Sequence, residues 1–219
     1  MKTNSKNICS LGSHLDYEFR GTAIITILVA IACIACAITL PESMGGKNAL
    51  PEYCQLLLVI VGAILAFRAN NNKTFYKFVF WVMVLIFLRE INYGRTLPCF
   101  ADPDNPEKFK KWKDIPYGWL AHPLIGLYIA SVLAFFIWKK LYLTTWKLLT
   151  TSRIPVWETT ILVLAAVIAQ VTERMFHSGC VEEFFELTFY AAFICLLWRF
   201  TQGHYKTIPS TTAKELSEQ

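Results

Sequence analysis

Hydrophobic residues along this chain are concentrated in six long runs that are separated by polar segments. A helix rises about 1.5 Å per residue, so about 20 apolar residues are needed to cross the roughly 30 Å hydrocarbon layer of a bilayer. Most of the runs are close to this length. We therefore predict six transmembrane helices at about 21–40, 53–68, 75–93, 119–138, 154–174 and 181–200.

The polar segments supply the remaining parts of the predicted fold. Residues 1–20 form a polar N-terminal arm, 94–117 form the one long connection, and 201–219 form a polar tail. The other connections are short, as is usual between neighbouring helices of a bundle. The prediction is an all-α, polytopic membrane protein in which residues 21–200 form a single six-helix bundle.

The overall composition agrees with a protein that is embedded in a membrane. Hydrophobic residues make up 55% of the 219 residues, and the mean hydropathy is +0.41. Ordinary soluble domains are less apolar, and disordered chains are far more polar. The composition therefore predicts an integral membrane protein whose first partner is the lipid bilayer.

The distribution of basic residues predicts the orientation of the chain. Six spans place both termini on one side of the membrane, and 13 of the 21 Lys and Arg residues lie in segments on that side. Basic residues favour the cytoplasmic side. We therefore expect cytoplasmic termini and an outer 94–117 loop, in a bacterial cytoplasmic (inner) membrane. Because the charges are scattered over the ends of the runs, the net charge of +5 indicates orientation and not nucleic-acid binding.

The third run contains charged residues that a bilayer does not readily accept. Its uncharged part extends only from Phe78 to Leu88. Eleven residues rise roughly 16 Å as a helix, about half of the hydrocarbon thickness, so the span must include Arg89 and Glu90. A charge at such depth costs on the order of 2.5 to 3.5 kcal/mol on insertion scales. Such residues usually have a partner or a function.

Each predicted helix from the third to the sixth brings ionisable side chains to its outer end. If every helix is given about 20 residues from its inner end, these side chains fall in one layer beneath the outer surface. We predict that they form one outward-facing polar site. Its candidate residues are Arg89, Glu90, Tyr93, His122, Glu173, Arg174, His177, Glu183 and Glu186.

Three interpretations of this site follow from its residue types. The site could bind or transport a small polar or lipid-linked ligand, an ion or a proton, with Glu90 as the central carboxylate. His122, His177 and Glu186 could instead hold a divalent metal in an enzyme that acts on a lipid head group. The charges could also only pair and fix helices, in a structural or regulatory subunit of a membrane complex or in a homo-oligomer. The sequence leaves open whether the protein is an enzyme.

Seven cysteines occur in the chain, and three of them fall on the predicted outer side. Disulfides persist outside the cytoplasm. Of the three possible pairings, we prefer Cys54 with Cys99, which leaves Cys180 free. Cys33 and Cys36 have the C-x-x-C spacing, but they lie within an unbroken apolar run, so we interpret them as packing residues.

Overall fold

The computed structural model describes most of the chain, including all the predicted spans except residue 92. The described residues are 15–41, 50–91, 93, 101–102, 105–109, 111–115, 118–175 and 179–202.

These residues are mostly helical, which confirms the all-α class. The seven α-helices among them are α1 Gly21–Thr39, α2 Leu50–Arg68, α3 Lys73–Glu90, α4 Ala121–Trp138, α5 Leu141–Thr151, α6 Val156–Met175 and α7 Gly179–Thr201.

Two pairs of very short strands accompany the helices. Strand β1, Leu15–Asp16, pairs in parallel with β4, Ile154–Pro155, so that Leu15 lies opposite Ile154. Strands β2, Ala101–Asp102, and β3, Asn105–Phe109, form an antiparallel pair. The predicted 94–117 loop thus contains a hairpin, and 3-10 turns at Trp112–Asp114 and Gly118–Leu120 follow it.

The contacts divide the chain into two compact units. The first unit comprises residues 1–46 and 142–219, and the second comprises 47–141. A single bundle that contains all the helices therefore stays a prediction.

In the first unit, α7 packs against α6 and α1. Small residues allow these helices to approach closely, and Ala23 and Ala192 are fully buried. At the α1 C-terminal end, Cys33 packs with Cys180 and Phe184 in an apolar cluster. Cys33 is therefore a packing residue, as the sequence predicted. Helix α7 is the most enclosed of these three helices, and its buried residues extend from Cys180 to Arg199.

In the second unit, α2 and α3 form a helical hairpin and α4 packs on α3. The turn between α2 and α3 ends at Asn72, whose φ of 45° lies in the left-handed region that Asn tolerates better than most residues. Buried Val59 and Ala66 on α2 and Met83 on α3 mark the helix contact. The rings of Phe78 and Phe136, 4.9 Å apart, join α3 to α4.

Three described helices are long and apolar enough to cross a membrane: α1, α2, and α4 with its preceding turn. Little of their surface is covered by protein, since only 17% of the most apolar window of α1 and 6% of that of α4 is buried. Such exposed apolar surface is compatible with lipid as the surrounding medium. Helices α3, α6 and α7 are not among these three, so six spans and cytoplasmic termini stay predictions.

Candidate functional site

A buried cluster of charged side chains lies at one end of the first unit. Arg199 is 2% exposed and contacts two carboxylates that are 4% and 0% exposed. Its Nη2 atom lies 2.5 Å from Oδ2 of Asp16, and its Nη1 atom lies 3.1 Å from Oε1 of Glu158. Charges that are buried this completely are rare in proteins unless they are paired.

The fold brings these three residues together from distant parts of the sequence. Helices α1 and α6 begin at this end of the unit, and α7 ends there. Glu158 stands in the first turn of α6 and Arg199 in the last turn of α7. The β1–β4 pair places Asp16 opposite Pro155, three residues before Glu158. The short sheet therefore holds the N-terminal arm against the charged cluster.

Hydrogen bonds from α1 and from the arm complete part of the cluster. The Thr22 hydroxyl donates to Oε1 of Glu158 at 2.6 Å. The backbone N–H of Glu18 donates to Oδ1 of Asp16 at 3.1 Å. One turn further along α1, the buried Thr26 hydroxyl donates to the carbonyl of Thr22 at 2.8 Å. Both carboxylates are thus fixed in position by neutral donors as well as by Arg199.

Several buried polar atoms in this region lack a partner within the described part of the chain. They are Oε2 of Glu158, Nε of Arg199, and, just before β4, Oγ of Ser152 and Nε of Arg153. Native proteins rarely leave buried polar atoms unsatisfied unless water or a ligand binds them. One acceptor and several donors of this kind can bind water molecules.

Four of the nine candidate residues of the predicted outer site lie in the second unit. Arg89 and His122 are exposed, and Glu90 and Tyr93 are half-buried. Helix α3 ends at Glu90, earlier than predicted, and Tyr93 follows it with a left-handed φ of 53°. The His122 ring meets the Trp112 ring edge-on at 6.3 Å.

The first unit holds the other predicted residues. Arg174 is exposed near the end of α6, while Glu183 and Glu186 are half-buried near the start of α7. The side chain of Glu173 and all of His177 lie outside the described residues. The nine candidates therefore divide between two units, and a common pocket for them stays a prediction.

The predicted metal ligands divide in the same way. His122 belongs to the second unit and Glu186 to the first, while His177 is not among the described residues. No group of three or more His, Cys, Asp or Glu residues suited to a metal occurs in the described ranges. The predicted disulfide likewise stays a prediction, because Cys54 is a free thiol among the described residues and Cys99 lies outside them.

Sequence reasoning did not find the Asp16, Glu158 and Arg199 cluster. Arg199 served only as one of the basic residues that set orientation, and Asp16 belonged to an arm without assigned chemistry. One signal was available, because Glu158 and Arg199 both lie inside predicted spans, where ionisable residues are costly.

The described structure defines a mostly helical protein with three apolar helices of membrane length and a buried cluster of charges. No known protein family matches the chain, and neither a curated protein nor a solved structure shows significant similarity to it.

Proposed function

We propose that this chain is a multi-pass protein of a bacterial cytoplasmic membrane that moves protons across the membrane, and that Glu158 is the residue that exchanges them. The observation that supports the proposal is the buried cluster with Asp16 and Arg199. In it, Oε2 of Glu158 has no partner among the described residues. A buried carboxylate oxygen that accepts no hydrogen bond from the described residues is a suitable proton acceptor.

The charges of the cluster support binding of one proton. Two ionised carboxylates and one guanidinium leave a formal charge of −1. An uncompensated buried charge costs several kcal/mol, and one bound proton removes it. Of the nearest further cations along the chain, Arg20 pairs with Glu18, and Arg153 forms no ion pair with Asp16 or Glu158 among the described residues. Because Arg199 is always charged, it is a fixed counter-ion.

Polar side chains along the helices of the first unit are also compatible with proton movement. On α7, Glu186 and Arg199 are separated by 13 residues, which corresponds to about 20 Å. Between them lie the buried Thr188 hydroxyl and the half-buried Cys195, whose thiol lies beside the Thr26 side chain on α1. Together with water, such groups can form hydrogen-bonded chains. The predicted outer carboxylates Glu183 and Glu186 would be the opposite end of the route.

Proton flux in proteoliposomes tests the proposal. The purified full-length protein is reconstituted into liposomes that enclose a pH-sensitive dye. A potassium gradient with an ionophore sets the membrane potential. We expect potential-driven flux in the wild type and at least a tenfold loss in Glu158→Gln, which keeps the shape of the side chain but cannot exchange a proton. The matched control is Glu18→Gln, because the Glu18 side chain is 49% exposed and pairs with nearby Arg20.

The outer site provides a second comparison. We expect Glu90→Gln to keep the fold but to remove the activity or its pH dependence, if the outer carboxylate belongs to the same route. The wild type is also assayed with sodium and potassium gradients in place of the proton gradient. Flux of either ion without protons, or a wild-type rate in Glu158→Gln, would contradict the proposal.

A further inference from the structure

A largely apolar pocket lies in the second unit, where α3 ends and α4 begins. It has a volume of about 510 Å³, within the 300 to 1,000 Å³ range that is usual for ligand sites. Leu88 and Tyr93 line it from the α3 side, Leu124 and Tyr128 from α4, and Trp112 from the 3-10 turn. Except for Trp112, these residues come from two packed helices and the residues directly after α3.

The walls of the pocket offer few polar groups to a ligand. The Tyr128 hydroxyl donates to the backbone carbonyl of Trp81 at 3.0 Å, so this group is already bonded. Leu88, Leu124 and Ile115 add aliphatic surface. The part of a ligand that enters this pocket must therefore be apolar.

A tight backbone contact positions the Trp112 wall. A Cβ atom on Gly118 would lie 1.7 Å from the carbonyl oxygen of Trp112, which is far inside van der Waals contact. Only glycine permits this approach of the two 3-10 turns. Gly118 also donates its N–H to the carbonyl of Ile115 at 2.9 Å. The pocket wall is thus a fixed feature of the fold.

Several residues next to the lining residues in sequence are charged or ionisable, and most of the exposed ones are Arg, Lys or His. Arg89 follows Leu88, Lys111 precedes Trp112, and His122 packs its ring against Trp112. All three are exposed. Asp114 is the one exposed acid among the described neighbours of the lining residues, while Glu90 is half-buried, and both Arg89 and Glu90 also take part in other interactions. Among the exposed groups, the permanent cations Arg89 and Lys111 outnumber the one acid Asp114, so an anionic group at the mouth of the pocket would meet more exposed positive than negative charge.

We infer that this pocket binds an anionic phospholipid. One acyl chain occupies the apolar pocket, and the phosphate lies at the mouth near Arg89, Lys111 and His122. Tyrosine and tryptophan are the residues that membrane proteins place at the depth of the lipid head groups, which agrees with Tyr93 and Trp112 in the wall. The pocket shares no residue with the cluster of Asp16, Glu158 and Arg199, because its lining residues belong to the second unit.

Native mass spectrometry of the full-length protein in a non-ionic detergent tests the inference. The protein is titrated separately with phosphatidylglycerol and with phosphatidylcholine of identical acyl chains, so that the two lipids differ only in the head group and its charge. We expect one phosphatidylglycerol to bind several-fold more tightly than phosphatidylcholine. Arg89→Gln and Lys111→Gln should each weaken phosphatidylglycerol by about fivefold and leave phosphatidylcholine unchanged.

Two variants of α4 separate the pocket from the general lipid surface. Leu124→Phe adds volume inside the pocket and should reduce binding of both lipids. Leu133→Phe makes the same change at a similarly exposed position, 54% against 59%, that does not line the pocket. Equal affinity for the two lipids would overturn the inferred ligand class. Equal loss of binding in Leu124→Phe and Leu133→Phe would overturn the site.

Discussion

Replacing Arg199 by Met removes the only basic side chain that pairs with Asp16 and Glu158 among the described residues. Methionine preserves most of the aliphatic volume, so packing changes little. Two carboxylates that are 4% and 0% exposed lose their counter-charge and keep only neutral donors, the Thr22 hydroxyl and the Glu18 N–H.

The cost of this change follows from burial. Removing one partner of a buried ion pair typically costs about 3 to 5 kcal/mol, because the remaining charge is desolvated without compensation. In a protein of this size, 1 kcal/mol lowers the melting temperature by about 2 to 4 °C, so we expect a decrease of roughly 6 to 20 °C in Arg199→Met. In Arg20→Met, which breaks the exposed pair with Glu18, we expect a loss of at most about 1 kcal/mol.

The assay heats the protein in detergent with a dye that fluoresces when it reacts with thiols. Cys33 and Cys180 are buried in the first unit, so their reaction with the dye reports its unfolding. A triple variant with Asp16→Leu, Glu158→Leu and Arg199→Met removes all the charges together and should recover more than half of the lost stability. The reasoning is refuted if Arg199→Met melts within 3 °C of the wild type, or if the triple variant is less stable than the single one.

Two further substitutions test the local geometry of each unit. Thr22→Val keeps the side-chain shape but removes the 2.6 Å hydrogen bond to buried Glu158, so it should cost about 1 to 3 kcal/mol in the same thermal assay, and Thr39→Val on the exposed end of α1 should cost less than half as much. Gly118→Ala should lower both the melting temperature and phosphatidylglycerol binding because of the 1.7 Å contact, whereas Gly126→Ala has no atom within 4 Å and should stabilise α4 by up to about 1 kcal/mol. Equal effects of the two glycine variants, or a silent Thr22→Val, would contradict the geometry.

The helices could be predicted from sequence to within a few residues because each apolar run is a local signal. The first run was expected at 21–40 and α1 is Gly21–Thr39; the last was expected at 181–200 and α7 is Gly179–Thr201. The two-residue strands β1 and β4 were not predicted, since no periodicity is visible in so short a segment and their pairing joins positions about 140 residues apart.

The charged cluster was missed for the same physical reason. Asp16 and Arg199 are 183 residues apart, and nothing in the local pattern of either one indicates the contact. Arg199 is one of the basic residues near the predicted cytoplasmic ends of the spans, and an arginine in such a position usually indicates orientation. The residues of the predicted outer site were identified because they interrupt apolar runs. Such an interruption does not specify which helices pack together. Whether Glu90 meets Glu186 therefore stays a prediction.

Difference infrared spectroscopy of the reconstituted protein tests the exchange of a proton at Glu158 most directly. Spectra recorded at a series of pH values reveal the carbonyl stretch of protonated carboxylic acids, and deuterium exchange assigns it to buried or exposed groups. We predict a buried carboxylic-acid band that changes with pH in the wild type and in Glu18→Gln and is lost in Glu158→Gln. A Glu158→Gln spectrum that retains the complete band would contradict proton binding at this cluster.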